Sequence, residues 1–198
     1  MGSFRKEKKY PLTKFELFEL IQKLGKNNLK KLFPSRLIKS TYFDNKFLKC
    51  YHESCEGILP RKKYRIRCYP SNSKSEYYLE KKISSIEGSY KESSKITTSQ
   101  YYNFLNNGIF DGMYGKVFPT INVFYKRKYF KIDRIRLTVD FKIKYKDFKN
   151  KIVKTDQNNV VELKSDFSLI DDSFLKLMGT TNKRFSKYCN GIELLNLR

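Results

Sequence analysis

Residues 61 to 69, RKKYRIRCY, place Lys63, Arg65 and Arg67 at every second position with Tyr64, Ile66 and Cys68 between them. Successive side chains of a strand point to opposite faces, so this segment predicts a strand with one cationic and one apolar face. The period recurs in DRIRLTVDFKI, residues 133 to 143. There Arg134, Arg136, Thr138, Asp140 and Lys142 share one face, and Ile135, Leu137, Val139, Phe141 and Ile143 share the other. Alternation of this type predicts strands around residues 4–10, 37–44, 47–52, 61–69, 76–83, 121–131, 133–145 and 158–166.

The helical period is clearest from Pro11 to Gly25, where Phe15, Phe18, Ile21 and Leu24 recur, Leu20 widens the stripe, and Gly25 supplies a stop. Thr13 with Glu16 three residues on forms a capping box, and the stripe is expected to pack in the core. Further helices are predicted over 98–106, ending near Gly108, and over 172–178, before Gly179. SNSKS at 71–75 reads as a hairpin loop and GMYGKVFP at 112–119 as a longer connection. About eight strands with few helices suit a closed antiparallel barrel or a sandwich.

A chain of 198 residues is long enough for one substantial core, so residues 1–198 are taken as a single domain. Hydrophobic residues at 39% and aromatics at 16% exclude a disordered chain. The 42 Lys and Arg against 20 Asp and Glu give +22, far beyond what solubility needs, which points to a polyanionic partner. That charge is spread along the whole length. No stretch approaches the roughly 20 apolar residues of a membrane span. The start MGSFRKEKKY has no apolar signal core, and Lys6 breaks the myristoylation pattern, so a cytoplasmic protein is expected.

Cys50, Cys55, Cys68 and Cys189 show no disulfide-scaffold spacing and are expected as reduced thiols. CYHESC at 50–55 clusters two cysteines with the only histidine, His52, but a structural zinc needs four ligands and there is no second Cys/His cluster. One histidine also removes most imidazole-based mechanisms. Carboxylates, cations and a metal remain as the available chemistry.

Charge on one face recurs at Arg5, Glu7 and Lys9, at Glu80 and Lys82, and at Glu162 and Lys164. Outward-facing charges over an apolar interior would account for this as ordinary solvated surface. The inverse arrangement requires an anion among the charges, because buried unpaired charges are too costly. Acids two residues before lysines favour that second arrangement, since they neutralise neighbouring lysines or hold a divalent cation.

Taken in order, EKKY ending at Tyr10, STYFDN at 40–45, YRIR at 64–67, YLEKK at 78–82 and GSYK ending at Lys91 form the first half of a pattern. YKR ending at Arg127, RIRLTVD at 134–140, VELK at 161–164 and FSKY at 185–188 complete it. Together they resemble the VTC domain, the polyphosphate polymerase domain of the triphosphate tunnel metalloenzyme-like superfamily. The resemblance implies an α+β fold: a closed antiparallel β-barrel forming a triphosphate tunnel, with a few flanking helices. It implies ATP and inorganic polyphosphate as substrates, without specific nucleic acid. Arg65, Arg67, Lys82, Arg127 and Arg136 would act on the transferred phosphoryl group, Lys9, Lys91 and Lys187 would bind phosphate, and Glu162 would hold Mn2+ or Mg2+. Lys63 shares the cationic face but falls outside the family pattern.

The sequence departs from that pattern at Ser93, where the family often has a base. It also lacks the transmembrane segments of membrane-bound members, so translocation of product would need a membrane-protein partner through which the chain associates with a membrane. Within the superfamily a tunnel triphosphatase or cyclase is the alternative. Outside it are a nucleic-acid-binding barrel, which +22 and the many tyrosines suit, and a silent binder of polyphosphate or inositol phosphates.

Overall fold

The computed structural model describes residues 6–70, 76–132, 134–165, 179 and 184–198. The predicted loop at 71–75, the helix at 172–178 and the strand positions 4, 5, 133 and 166 lie outside the described residues. The chain begins with β1 (Lys6–Leu12), α1 (Lys14–Gly25), β2 (Lys30–Asp44) and α2 (Lys49–Glu56). β3 (Arg61–Cys68), β4 (Tyr77–Ser85), β5 (Gly88–Ile96) and α3 (Thr98–Asn107) follow. Next come β6 (Ile109–Asp111), β7 (Gly115–Ile132), β8 (Ile135–Asp147), β9 (Val153–Thr155), β10 (Asn159–Ser165) and α4 (Lys187–Leu194).

α1 starts where the capping box placed it: Thr13 Oγ1 accepts from the Glu16 amide at 3.2 Å, and Glu16 Oε2 accepts from the Thr13 amide at 2.7 Å. Its buried row differs from the expected one. Leu20 and Leu24 are buried, with Leu17 and Ile21 packed beside them, whereas Phe15 is 69% and Phe18 62% exposed. Both rows have helical spacing, and the Leu17–Leu20–Leu24 row is the one turned to the core.

Residues 47–52, expected as a strand, instead lead into and form the start of α2. Asp44 decides this. Its Oδ1 accepts from the Cys50 amide and its Oδ2 from the Tyr51 amide, both at 2.9 Å, satisfying donors that a helix start leaves open. Asn45 Oδ1 accepts from the amides of Phe47 and Lys49, and Leu48 takes φ 52 to make the turn. The stretch 112–119 is a tight turn and the first part of β7. Asp111 Oδ1 accepts from the Met113 and Tyr114 amides, and Gly115 adopts φ 67.

Among the described residues ten strands form one sheet in the hydrogen-bonded order β1-β10-β8-β7-β2-β3-β4-β5, with β6 on β7 and β9 on β8. The α+β class and the largely antiparallel sheet agree with expectation; closure does not. Among the described residues β5 pairs only with β4, so the sheet is not hydrogen-bonded into a closed barrel, and it holds ten strands rather than about eight. The physical reason lies in β5 itself, GSYKESSKI, whose side chains are exposed from Ser89 to Lys95. Charged and small polar residues along an edge discourage further pairing.

The chain groups into two compact units. One comprises Met1–Arg36, Tyr125–Ile143 and Thr155–Phe185. Its core packs Tyr10, Leu12, Leu20, Leu24, Ile132, Ile135, Leu137, Val139, Val161 and Leu163. The other comprises Leu37–Phe124, Lys144–Lys154 and Ser186–Arg198. Its buried residues include Ile38, Phe43, Ile66, Ile121, Val123, Tyr145, Tyr188 and Ile192. There α4 approaches so closely that a Cβ at Gly191 would stand 2.5 Å from Ile121 Cδ1.

Candidate functional site

In the second unit the register sets Tyr42 opposite Arg65, Arg65 opposite Glu80, and Glu80 opposite Ser93, across β2, β3, β4 and β5. Lys63 pairs with Lys82 and Lys82 with Lys91 one row away. Directly paired residues share a face, so Lys63, Arg65, Arg67, Lys82 and Lys91 stand together with Glu80 among them. The Tyr64, Ile66 and Cys68 row is buried on the opposite face. Alternation thus gives β3 its apolar anchor and, on the other side, a cationic surface.

Glu80 ties that surface together. Its Oε2 accepts from Arg65 Nε at 2.6 Å, its Oε1 accepts from Lys91 Nζ at 2.6 Å, and Arg67 Nη1 lies 3.5 Å from Oε1. Arg65 Nη1 also donates to the Tyr42 hydroxyl at 3.0 Å. Burial alone would raise the Glu80 pKa, but the Arg65 and Arg67 guanidiniums and the Lys91 ammonium outweigh it and hold the carboxyl at about 2. Lys91, though its side chain is 46% exposed, is pushed down first by partial loss of water around its ammonium and further by Arg67 and Arg65, while Glu80 works against the shift. Arg67 Nε is buried with no partner among the described residues, and so is Ser40 Oγ directly opposite it. Such orphaned donors are rare in finished structures unless something else satisfies them.

Lys187 opens α4, whose N-cap is Ser186. Lys63 Nζ donates to Ser186 Oγ at 3.1 Å, so Lys63 joins this cluster although the sequence pattern leaves it out. Two further ties frame the face. Tyr188 donates to Asp44 Oδ2 at 2.6 Å, and the Tyr42 and Tyr188 rings stack at 5.3 Å.

In the first unit the register runs Lys9 opposite Glu162 and Glu162 opposite Thr138, across β1, β10 and β8. Arg127, 9% exposed, donates from Nε to Asp140 Oδ1 at 2.5 Å and from Nη2 to Asp140 Oδ2 at 2.7 Å. Its Nη2 also reaches Glu162 Oε2 at 3.4 Å, and Lys164 Nζ lies 2.9 Å from Glu162 Oε1. Burial would lower the Arg127 pKa, yet Asp140 and Glu162 raise it well above the usual arginine value. Lys9 Nζ donates to the Phe185 carbonyl at 3.4 Å, and Arg136 is exposed.

The nine residues drawn from the sequence are therefore divided between the two units. Arg65, Arg67, Lys82, Lys91 and Lys187 belong to one unit; Lys9, Arg127, Arg136 and Glu162 belong to the other. Sequence reasoning missed Asp140, Tyr42 and Thr138 as members. Asp140 and Thr138 lie on the charged face of β8, and the i, i+2 spacing from Arg136 was the available signal. Tyr42 gave none, because only the β2–β3 register brings it to Arg65. Among the described residues no three His, Cys, Asp or Glu side chains gather to hold a metal. No helix among them is long and apolar enough to cross a membrane.

Comparison with solved structures finds the same fold at low identity. A candidate adenylate cyclase from Bacillus halodurans matches with a TM-score of 0.63 at 12% identity, over 96% of this chain and 98% of its own. A protein from Pyrococcus horikoshii OT3 matches at 0.60 and 14%, over 98% and 100% of the two chains. A candidate adenylyl cyclase from Hippeastrum, described as having a dominant triphosphatase activity, matches at 0.58 and 14%, over 96% of each. No curated protein matches the sequence. The family model of the VTC domain matches residues 4–117 and 110–196, and the chain belongs to the VTC domain family.

Proposed function

We propose that this chain is a polyphosphate polymerase domain that transfers the γ-phosphoryl group of ATP to the end of an inorganic polyphosphate chain. The observation that carries this reading is Glu80 holding Arg65, Arg67 and Lys91 on one sheet face. Membership of the VTC family and a net charge of +22 support it. Phosphoryl transfer asks little covalent chemistry of a protein; it asks for positioning and for neutralisation of charge on the transferred group. Guanidinium forks fixed in advance meet that need, because they bind phosphate oxygens bidentately and need no reorganisation.

In the proposed reaction a terminal oxygen of the acceptor chain attacks the γ-phosphorus. The bond from that phosphorus to the β,γ-bridging oxygen breaks, and ADP leaves with the electron pair. Arg65 and Arg67 of the second unit and Arg127 and Arg136 of the first are the guanidiniums proposed for non-bridging phosphate oxygens; Lys63, Lys82, Lys91 and Lys187 of the second unit and Lys9 of the first are the ammoniums proposed for phosphate. No side chain serves as nucleophile, which suits a chain with one histidine.

Glu162 is the residue that would hold Mn2+ or Mg2+. Its two oxygens face Lys164 and Arg127, so among the described residues it stands as an already neutralised carboxylate and not as part of a cage of acids. That donor set fits a cation that arrives on the triphosphate and takes its other ligands from phosphate and water. Such a cation would supply further charge neutralisation.

The fold shared with the Hippeastrum protein favours a second reading, in which water replaces the acceptor chain and the product is free phosphate. The test is incubation of the purified chain with γ-labelled ATP and Mn2+, with and without a short polyphosphate primer, resolving products by length. Chains longer than the primer, absent from Arg65→Ala and Glu162→Ala, establish the polymerase. Free phosphate alone establishes the hydrolase and overturns the polymerase. Salt-sensitive binding without turnover identifies a silent polyanion binder.

A further inference from the structure

We infer that the Thr138 hydroxyl is a further substrate-contacting group, reserved for a phosphate oxygen of the bound polyanion. This rests on the reading that the chain binds triphosphate. Thr138 is 5% exposed, and its Oγ1 has no hydrogen-bond partner among the described residues. A buried hydroxyl destabilises a fold unless it is bonded. Valine has the same shape and at least as strong a strand preference, so packing alone gives no reason for threonine here.

Its surroundings say what would bond it. Thr138 lies directly opposite Glu162, which in turn lies opposite Lys9. On its own strand Arg136 and Asp140 stand two residues away on the same face. Arg127 fastens Asp140 and reaches Glu162, and Lys164 takes the other Glu162 oxygen. Asp140 and Glu162 are thus each paired with a cation, and Lys9, Arg127, Arg136 and Lys164 outnumber the acids even with Glu7, which the register sets opposite Lys164, counted among them. A hydroxyl has one proton to donate, and in a net cationic setting the acceptor that fits is an anionic oxygen. In this structure the hydroxyl is buried; the register sets Lys9, Arg136 and Lys164 on neighbouring positions of the same face, and long lysine and arginine side chains can swing aside on side-chain timescales.

Thr138→Val and Thr138→Ser in the full chain test this, with inorganic tripolyphosphate as the calorimetric probe and thermal melting of the free protein as the second readout. The inference expects Thr138→Val to bind about tenfold more weakly, because a hydrogen bond to a charged group is lost. Its melting temperature should rise by about 2–4 °C, because an orphaned buried hydroxyl is removed. Thr138→Ser should bind within about threefold of the parent. Affinity of Thr138→Val equal to that of the parent overturns the assignment and leaves the triphosphate reading standing. Weaker binding together with a lower melting temperature overturns it too, since that is the signature of a structural hydroxyl. Failure of the parent chain itself to bind tripolyphosphate overturns both readings.

Discussion

Arg127 holds Asp140 by two parallel hydrogen bonds, Nε to Oδ1 at 2.5 Å and Nη2 to Oδ2 at 2.7 Å, with Asp140 fully buried. Removing one partner of a buried ion pair strands the other charge, at a cost of about 3–5 kcal/mol. Asp140→Ala is therefore expected to lower unfolding stability by about 3 kcal/mol in urea. Replacing both residues, as in Arg127→Met with Asp140→Leu, should cost less than Asp140→Ala alone, since no charge is left stranded. Both variants should lose ATP turnover. Equal stability of the parent and Asp140→Ala would show that Arg127 is solvated rather than dependent on Asp140.

The Glu80 carboxyl, held at about 2, makes stability depend on pH in a defined direction. A carboxyl whose folded pKa lies below its unfolded value stabilises the fold above the unfolded pKa and loses that stabilisation as pH falls through the folded one. The window is thus from about 4.5 down to about 2, and the contribution above it is on the order of 3 kcal/mol. Glu80→Gln should be less stable than the parent at pH 7, and the difference should shrink steadily as pH falls through that window. Denaturation curves at pH 7, 4 and 3 read the effect directly. A difference that stays constant across them would mean that Glu80 is not ionically coupled to Arg65, Arg67 and Lys91.

Much of this was legible in the residues, for reasons that differ by element. Alternation in RKKYRIRCY identified β3 and its charged face, because a one-residue slip would have buried the arginines. The capping box identified the start of α1, being a local chemical pattern. What alternation cannot carry is which of two apolar rows on a helix meets the core, so Phe15 and Phe18 were misplaced. Nor can it foresee capping by a side chain upstream of the helix: Asp44 on the Cys50 and Tyr51 amides is what turns residues 49–52 of the expected 47–52 strand into the start of α2. Sheet closure was illegible as well, because only the pairing of β5 decides it.

The α1 assignment has a mutational consequence. Leu24 is fully buried, whereas Phe15 and Phe18 stand in solvent. Leu24→Ala is expected to cost about 2–5 kcal/mol through lost transfer energy and the cavity left behind. Phe15→Ser and Phe18→Ser should each stay within about 0.5 kcal/mol of the parent. Urea midpoints at constant slope measure all three. A large loss from either phenylalanine would restore the sequence-based placement of the stripe.

Ser93 lies directly opposite Glu80 on β5, at the position where the resemblance implied a base. In this chain Lys91 supplies a bond to the same carboxylate at 2.6 Å from two residues away, and Ser93 itself is exposed. Glu80 is already occupied by three cations, so a fourth would be left with its charge turned toward incoming phosphate. An exposed charge interaction of this kind is worth up to about 1 kcal/mol. Ser93→Arg is therefore expected to bind tripolyphosphate up to about fivefold more tightly at low salt. That gain should fade as ionic strength rises, because an exposed contact is screened. Titration at two salt concentrations checks both statements. Unchanged affinity at both would mean that β5 lies away from the bound polyanion, leaving recognition in this unit to the cations of β3, β4 and α4.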